Sequence, residues 1–163
     1  LNPADITLDA TVPLGQRWGL EGGLYAGLLQ GWTDQPAYHL IAASNPGPTT
    51  CLVEGEQTPF GPQEARSFRD GLSNCVCWLQ RGSPAARWTH DLSIEGRRDW
   101  YLPSMAELFL VAGNLGDRLS AGVYWSSSRS DEDRVWCLDL SKDATIREFA
   151  MSGAARVLPV RRA

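Results

Sequence analysis

Apolar residues in this chain follow two spacings, and the switches between them mark the elements. Met105, Leu108, Phe109 and Ala112 recur every three to four residues, the spacing of one helix face, and Gly113-Asn114 follows as a stop. Ser104-x-x-Glu107 begins that run as a capping box, in which the serine oxygen accepts from the amide three residues on while the glutamate reaches back. Pro103 ends the strand-like Asp99-Trp100-Tyr101-Leu102 just before it. The pattern predicts an amphipathic helix of about two to three turns. Through the cap alone, Glu107→Ala is expected to cost about 1 kcal/mol.

Elsewhere the period is two. Ile6, Leu8, Ala10 and Val12 alternate between Asp5 and Pro13, which predicts a short extended arm within residues 1–14. Gly22 to Leu29 and Ala37 to Ala42 read as two strands of a β-hairpin joined by Gly31-Trp32-Thr33-Asp34-Gln35-Pro36. Val123 to Ser127 reads as a strand and Ser128 to Arg134 as a polar loop. Val135 to Leu140 then sets Trp136, Leu138 and Leu140 against Val135, Cys137 and Asp139, as a strand with one buried face does. Ser141-Lys142-Asp143 is its turn, Ala144 to Phe149 the return strand, and Arg156 to Arg161 a closing strand that Pro159 confines to an edge or a non-bonding position.

Two further segments complete the expected outline. Ser44 to Pro62, punctuated by prolines and glycines, is predicted to be an ordered surface loop without regular structure. Gln63 to Leu72 is predicted to be the first helix, with Ala65, Phe68 and Leu72 on one face, and Cys75 to Glu95 is assigned to loop anchored by Trp78 and Trp88. Trp125 and Trp136 are expected in the core, where replacement of either by alanine costs about 3 to 5 kcal/mol.

Composition narrows the class. At 163 residues, with 43% hydrophobic and 21% charged residues, the chain has the size and balance of a single globular domain spanning 1–163. The net charge is −4 and the 15 basic residues are scattered, so nucleic acid is not an expected partner. No apolar run reaches the ~18 to 20 residues of a membrane span, and Leu1-Asn2-Pro3-Ala4 is not a signal peptide. A start at leucine fits a processed product or a piece of a longer polypeptide, with any targeting signal upstream. Seven tryptophans, 16 glycines and 10 prolines point to a turn-rich fold with tryptophans mainly in the core.

Candidate chemistry is sparse. The spacing Cys75-Val76-Cys77, with Cys51 and Cys137 elsewhere, is wrong for zinc and leaves two readings: buried free thiols, or one disulfide such as Cys137 with the Cys75/Cys77 segment. His39 lies in an apolar strand and reads as a hydrogen-bonded structural residue, while His90-Asp91 reads as a loop cap. Ser126, Ser127 and Ser128 lack the G-x-S-x-G elbow that exposes a nucleophile. Asp131-Glu132-Asp133, flanked by Arg129 and Arg134, reads as a solvated mixed-charge loop and is the only stretch acidic enough to suggest calcium. No phosphate-cradling glycine loop is present. The expectation is therefore no enzyme, no cofactor and no metal.

Four motifs occur in a telling order: Trp100-Tyr101-Leu102-Pro103-Ser104-Met105-Ala106-Glu107-Leu108, Tyr124-Trp125-Ser126-Ser127-Ser128, Val135-Trp136-Cys137-Leu138-Asp139-Leu140, and Val157-Leu158-Pro159-Val160-Arg161-Arg162. From about Arg97 to Arg162 the chain thereby resembles the C-type-lectin-like domain family named for the C-terminal domain of a bacterial collagen-like adhesin. Gly15-Gln16-Arg17-Trp18, Gly22-Gly23-Leu24-Tyr25-Ala26-Gly27 and Tyr38-His39-Leu40-Ile41 look like the N-terminal half of its phage-encoded branch. The resemblance implies an α+β, C-type-lectin-like fold with two helices packed on a twisted antiparallel sheet, carried by adhesins, lipoproteins or phage tail parts to bind a host surface. The motifs are scaffold signatures, and the E-P-N or Q-P-D with W-N-D pattern of calcium-dependent sugar-binding lectins is absent. The cysteine pair of the related formylglycine-generating enzymes is absent too.

The functional expectation is a non-enzymatic recognition domain of a phage or prophage tail, or of a surface adhesin, binding a host-surface glycan or protein. Its setting would be a virion or the bacterial cell surface. The alternative is a structural virion or tail-assembly subunit that packs against other tail or adhesin subunits or against copies of itself as a homo-oligomer. Expected ligand contacts are Arg129, Asp131, Asp133, Arg134, Arg147 and Glu148, from the Ser128 to Arg134 loop and the segment after Ile146, together with Trp32.

Overall fold

The capped helix anticipated from the sequence is central to the architecture. In the computed structural model, which describes residues 12–55 and 61–163, it runs Met105–Leu115 and both halves of the Ser104/Glu107 capping box are made. It is the third of three α-helices among the described residues: α1 (Gly71–Gln80), α2 (Pro84–Asp91) and α3 (Met105–Leu115). The strands are β1 (Leu24–Leu29), β2 (Tyr38–Ala42), β3 (Thr49–Thr50), β4 (Val123–Arg129), β5 (Arg134–Asp139), β6 (Thr145–Ala150), β7 (Ala155–Arg156) and β8 (Val160–Arg162). They form a three-stranded sheet in the order β1-β2-β8 and a five-stranded sheet in the order β3-β7-β4-β5-β6. The chain is thus α+β, with three helices and two sheets where two helices on one sheet were expected. All pairings are antiparallel except β4 with β7.

The hairpin read from the N-terminal half is present as β1–β2. A bulge shifts its register between Tyr25 and Gly27, and Asn114 of α3 donates to the Ala26 carbonyl at 2.7 Å. Asn114 therefore ties helix to hairpin, and α3 continues one residue past it to Leu115 before a 3-10 turn over Gly116–Arg118. The closing strand is two strands, β7 and β8, with Pro159 between them outside either ladder, in keeping with its missing amide. The expected arm from Asp5 lies outside the described residues except for Val12. The loop from Ser44 to Pro62, of which 56–60 lie outside the described residues, is not wholly irregular: it contributes β3 and the fully buried Leu52.

The helix expected over Gln63 to Leu72 is misplaced. Ser67 accepts from the amides of Arg69 and Asp70, and the Asn74 side chain bonds both the amide and the carbonyl of Ser67. These side-chain bonds hold the backbone in turns where a helical ladder would otherwise form. The helix begins only after Asp70, whose carboxylate caps the Ser73 amide at 3.1 Å, and Phe68 and Leu72 are left 45% and 42% exposed. The Cys75 to Glu95 stretch, expected as loop, holds most of α1 and all of α2. Ser83 caps α2 and Pro84 opens it, a legible start signal in front of helix-forming alanines. Trp78 is a fully buried anchor and Trp88 a half-buried one.

One apolar core takes side chains from both sheets and all three helices, including Leu40, Trp78, Met105, Leu108, Tyr124, Trp125 and Leu138. A smaller cluster of Ile41, Ala43 and Trp100 covers the opposite face of β2. His39 shares that face, its Nδ1 2.9 Å from the Tyr25 hydroxyl and its ring edge-on to Trp18, and burial lowers its pKa. The structural reading of His39 holds. All four cysteines are free thiols, Cys75 and Cys137 buried, Cys51 and Cys77 half-buried, so no disulfide closes the fold.

Buried in the middle of the apolar core is Glu107, with no exposed surface. Its Oε1 accepts from the hydroxyls of Tyr38 and Tyr101, each at 2.7 Å, and its Oε2 from the Ser104 amide at 2.8 Å. Arg162 of β8 lies 3.6 Å from Oε1, donates to the Tyr101 hydroxyl at 3.1 Å, pairs with Asp70 at 2.8 Å and stacks its guanidinium 4.3 Å from the Tyr38 ring centre. Burial and the neighbouring Glu107 both raise the pKa values of the two tyrosines, so they remain donors. Gly71, the first residue of α1, abuts the same carboxylate: a Cβ there would overlap Glu107 Oε2 and the Ser104 amide. The positive end of α1 thus faces a negative charge.

A single substitution therefore removes more than a cap. Glu107→Ala is expected to cost about 3 to 5 kcal/mol, because two tyrosine hydroxyls and a largely buried arginine lose their acceptor together. Denaturant melts check this, and a loss near 1 kcal/mol would reduce the residue to its capping role. Trp125, fully buried, edge-on to Phe149 and donating to the Thr50 carbonyl at 2.7 Å, should likewise cost about 3 to 5 kcal/mol as alanine. Trp136 is partly buried and packed against the core, not enclosed within it as expected. Its alanine variant should lose distinctly less stability than Trp125→Ala in the same melts.

Candidate functional site

The three serines of β4 are committed to the scaffold. Ser126 donates to the Trp136 carbonyl at 2.6 Å, Ser127 to the Pro103 carbonyl at 3.1 Å, and Ser128 to the Ser67 carbonyl at 2.8 Å while accepting from the Met105 amide at 3.0 Å. Each hydroxyl has placed its one proton on a backbone oxygen. Among the described residues no histidine bonds any of them: His39 bonds Tyr25, and His90 lies exposed beside Asp91. No group of three His, Cys, Asp or Glu residues among the described residues is arranged to hold a metal ion. Among the same residues no helix is long and apolar enough to cross a membrane.

Hydrophobic side chains on the outer strands point the other way, toward a surface. Along β5 and β6 the register pairs Arg134 with Ala150, Trp136 with Glu148 and Leu138 with Ile146, so these side chains share one face of the sheet. Leu138 is buried at its inner end, whereas Arg134, Glu148 and Ile146 are exposed and Trp136 is partly buried against the core. The opposite face pairs Val135 with Phe149 and Cys137 with Arg147. It meets the core through Val135, Cys137 and Trp125, and the first face meets the same core through Leu138 and Tyr124, with Trp136 packed against it. β6 is the last strand of its sheet and is exposed from Thr145 to Glu148.

The predicted contact residues fall into five places. Asp131 and Asp133 sit exposed in the four-residue turn between β4 and β5, and Arg134 and Glu148 lie on the outer face just described. Arg147 lies on the other face, and its charge is already engaged: Nη1 donates to Asp139 Oδ2 at 2.6 Å. Arg129 is not in the loop at all; it ends β4, only 4% exposed, with Nε on the Asp131 carbonyl at 2.7 Å. The expected polar loop therefore shrinks to residues 130–133, since a register shift between Trp125 and Arg129 carries the strand's last side chains inward. Trp32 belongs to the hairpin turn of the other sheet, edge-on to Tyr38, and is not part of this surface.

Sequence reasoning placed Trp136 wholly in the core; it is partly buried, packed against the core on the same face as the fully buried Leu138. Two hollows lie elsewhere. One, of about 180 Å³, has Leu72, Val76, Leu79 and Trp100 among its walls, with His90 and Arg98 also lining it. The other, of about 370 Å³, is framed by Arg17, Asn45, Trp88 and Ile94. No family model matches the chain, and no curated protein matches it.

The Asp139–Arg147 pair makes the outer hairpin acid-sensitive. Hydrogen bonds from Ser141 and then from Arg147 lower the Asp139 pKa from 3.8 to about 2. A carboxylate whose folded pKa lies below its unfolded value stabilises the fold above about pH 4, and that contribution is lost as pH falls from about 4 through 2. Asp139→Asn should therefore flatten the stability profile over that window and leave the curve shape above pH 5 unchanged. Melts at pH 5, 3 and 2 check it; identical acid profiles for parent and variant would contradict the pairing.

Proposed function

We propose that the chain is a non-enzymatic recognition domain, of a phage or prophage tail or of a bacterial surface adhesin, with a C-type-lectin-like fold. The observation that carries this is the β5–β6 outer face, where a tryptophan packed against the core but still partly open to solvent is flanked by Arg134 and Glu148 and by the exposed Ile146. An aromatic and an arginine on a rigid strand pair supply contact area and directional donors at little ordering cost. The motif resemblance supplies the class of setting, a host-surface glycan or protein as partner and a virion or bacterial surface as location.

A second reading has its own observation. Among the described residues β6 is an edge strand whose outer backbone groups have no strand partner, and Ile146 stands 49% exposed on it. Such an edge can accept a strand from a copy of this chain or from another tail or adhesin subunit. Charged Arg147 and Glu148 on the strand oppose that use.

Replacing Arg134 and Trp136 together with alanine should weaken attachment to host cells, or to an array glycan the parent binds, by tenfold or more. About 1.4 kcal/mol is enough for that factor. The variant's circular dichroism should match the parent's. Unchanged attachment by a folded variant would contradict the recognition surface, and a stable oligomer of the parent without any surface ligand would favour the assembly reading.

A further inference from the structure

A buried arginine without a counter-ion is unusual, because an unpaired charge loses its hydration and gains nothing in return. Arg129 is in that position. The side chain is 96% withdrawn from solvent by its 4% exposure, Nε donates to the Asp131 carbonyl, and Nη1 is enclosed with no hydrogen-bond partner. Among the described residues no carboxylate pairs with it and Nη2 has no hydrogen bond. Of the acids nearest in sequence, Asp131 Oδ1 accepts from the Glu132 amide, Asp133 lies 4.0 Å from Arg134, and Glu132 is exposed. The next residue repeats the deficit, since Ser130 Oγ is also enclosed and unpartnered.

We propose that Arg129 and Ser130 form an oxyanion-binding site beneath the β4–β5 turn, taking a phosphate or carboxylate group. A guanidinium with an enclosed, unpartnered nitrogen, next in sequence to an enclosed, unpartnered hydroxyl, supplies the charge and the donors that such a group accepts. A water satisfies hydrogen bonds only. The position is built by the fold: the register shift in β4 turns Arg129 inward, and its amide is fixed to the Ala65 carbonyl at 2.7 Å. The cover is thin, being the turn 130–133, held by the Ser130 and Asp131 amides on the Arg134 carbonyl and by Glu132 on the Gly61 amide. Two arginines against three acids leave this stretch with one excess negative charge, so the site acts through short-range donors and not through long-range attraction. The use of the anion as part of a host-surface ligand rests on the recognition reading; the site itself does not.

The test uses the intact chain with inorganic phosphate and, separately, acetate, each against sodium chloride at equal ionic strength. The expected result is a saturable rise in Tm with phosphate or acetate that chloride does not give. Isothermal titration should show affinity weakened about tenfold or more in Arg129→Lys, which keeps the charge and loses the fork. Ser130→Ala should weaken it a few-fold, and Arg81→Gln, an exposed arginine on α1's end, should leave it unchanged. Parent protein that shows no anion-specific rise, or an equal rise in Arg129→Lys and Ser130→Ala, overturns the site. If Arg129→Lys does not fold, the parent's ion specificity and the Ser130→Ala titration decide. Anion binding in a protein that attaches to no host surface upholds the site and removes the recognition reading, whereas attachment lost with Arg134 and Trp136 in a protein indifferent to anions does the reverse.

Discussion

The structure depends on one buried carboxylate. Glu107 receives donors from β2, from the segment ahead of α3 and from α3's own cap, stands near Arg162 of β8, and faces the first turn of α1 across Gly71. A carboxylate in an apolar core is tolerated only when its acceptor capacity is filled, and here each filling group comes from a different element. The same requirement explains the terminal pair of arginines. Arg162 reaches inward to Asp70, Tyr101 and the Glu107 region, while Arg161 reaches out to a two-pronged pair with Asp99 and to Glu21. β8, three residues long, is thereby fastened on both faces, and its backbone bridges Tyr101 through Val160.

That division of labour separates scaffold from surface. The motif residues Trp100, Tyr101, Ser104, Glu107, Ser126, Ser127, Ser128, Arg161 and Arg162 all make internal bonds. The β4–β5 turn and the β6 edge, by contrast, stand outward. Stability is thus concentrated in the centre, and the outer hairpin is free to vary without disturbing it.

Legibility in the sequence follows the range of the interactions. The capping box, the hairpin and the strands around Trp125 and Val135 were readable because local spacing alone specifies them. The depth of Glu107 was not, since its burial comes from Tyr38, 69 residues away, and from Arg162 at the far end of the chain. α1 was placed too early because Ser67 and Asn74 hold its approach in turns, a long-reach side-chain contact that helix propensity does not register. Among the candidate contacts, Asp131, Asp133, Arg134 and Glu148 were placed on the surface correctly from their polarity. Arg129 was expected at the surface and is buried, because a register shift in β4 is a tertiary outcome, and Trp136 packs against the core without being enclosed by it. Trp32 was placed correctly in the hairpin turn, but that this hairpin belongs to a separate sheet from β5 and β6 is a tertiary outcome.

Native-state hydrogen exchange tests the central dependence most directly. If Glu107 joins the elements into one cooperative unit, the amides of Ser104, Tyr101 and Val160 should exchange only through global unfolding, with protection equal to the whole stability, while those of 130–133 exchange orders of magnitude faster. Exchange of Tyr101 and Val160 through a cheaper opening, with α1 still protected, would show that β8 comes away on its own and that the carboxylate does not hold the molecule together.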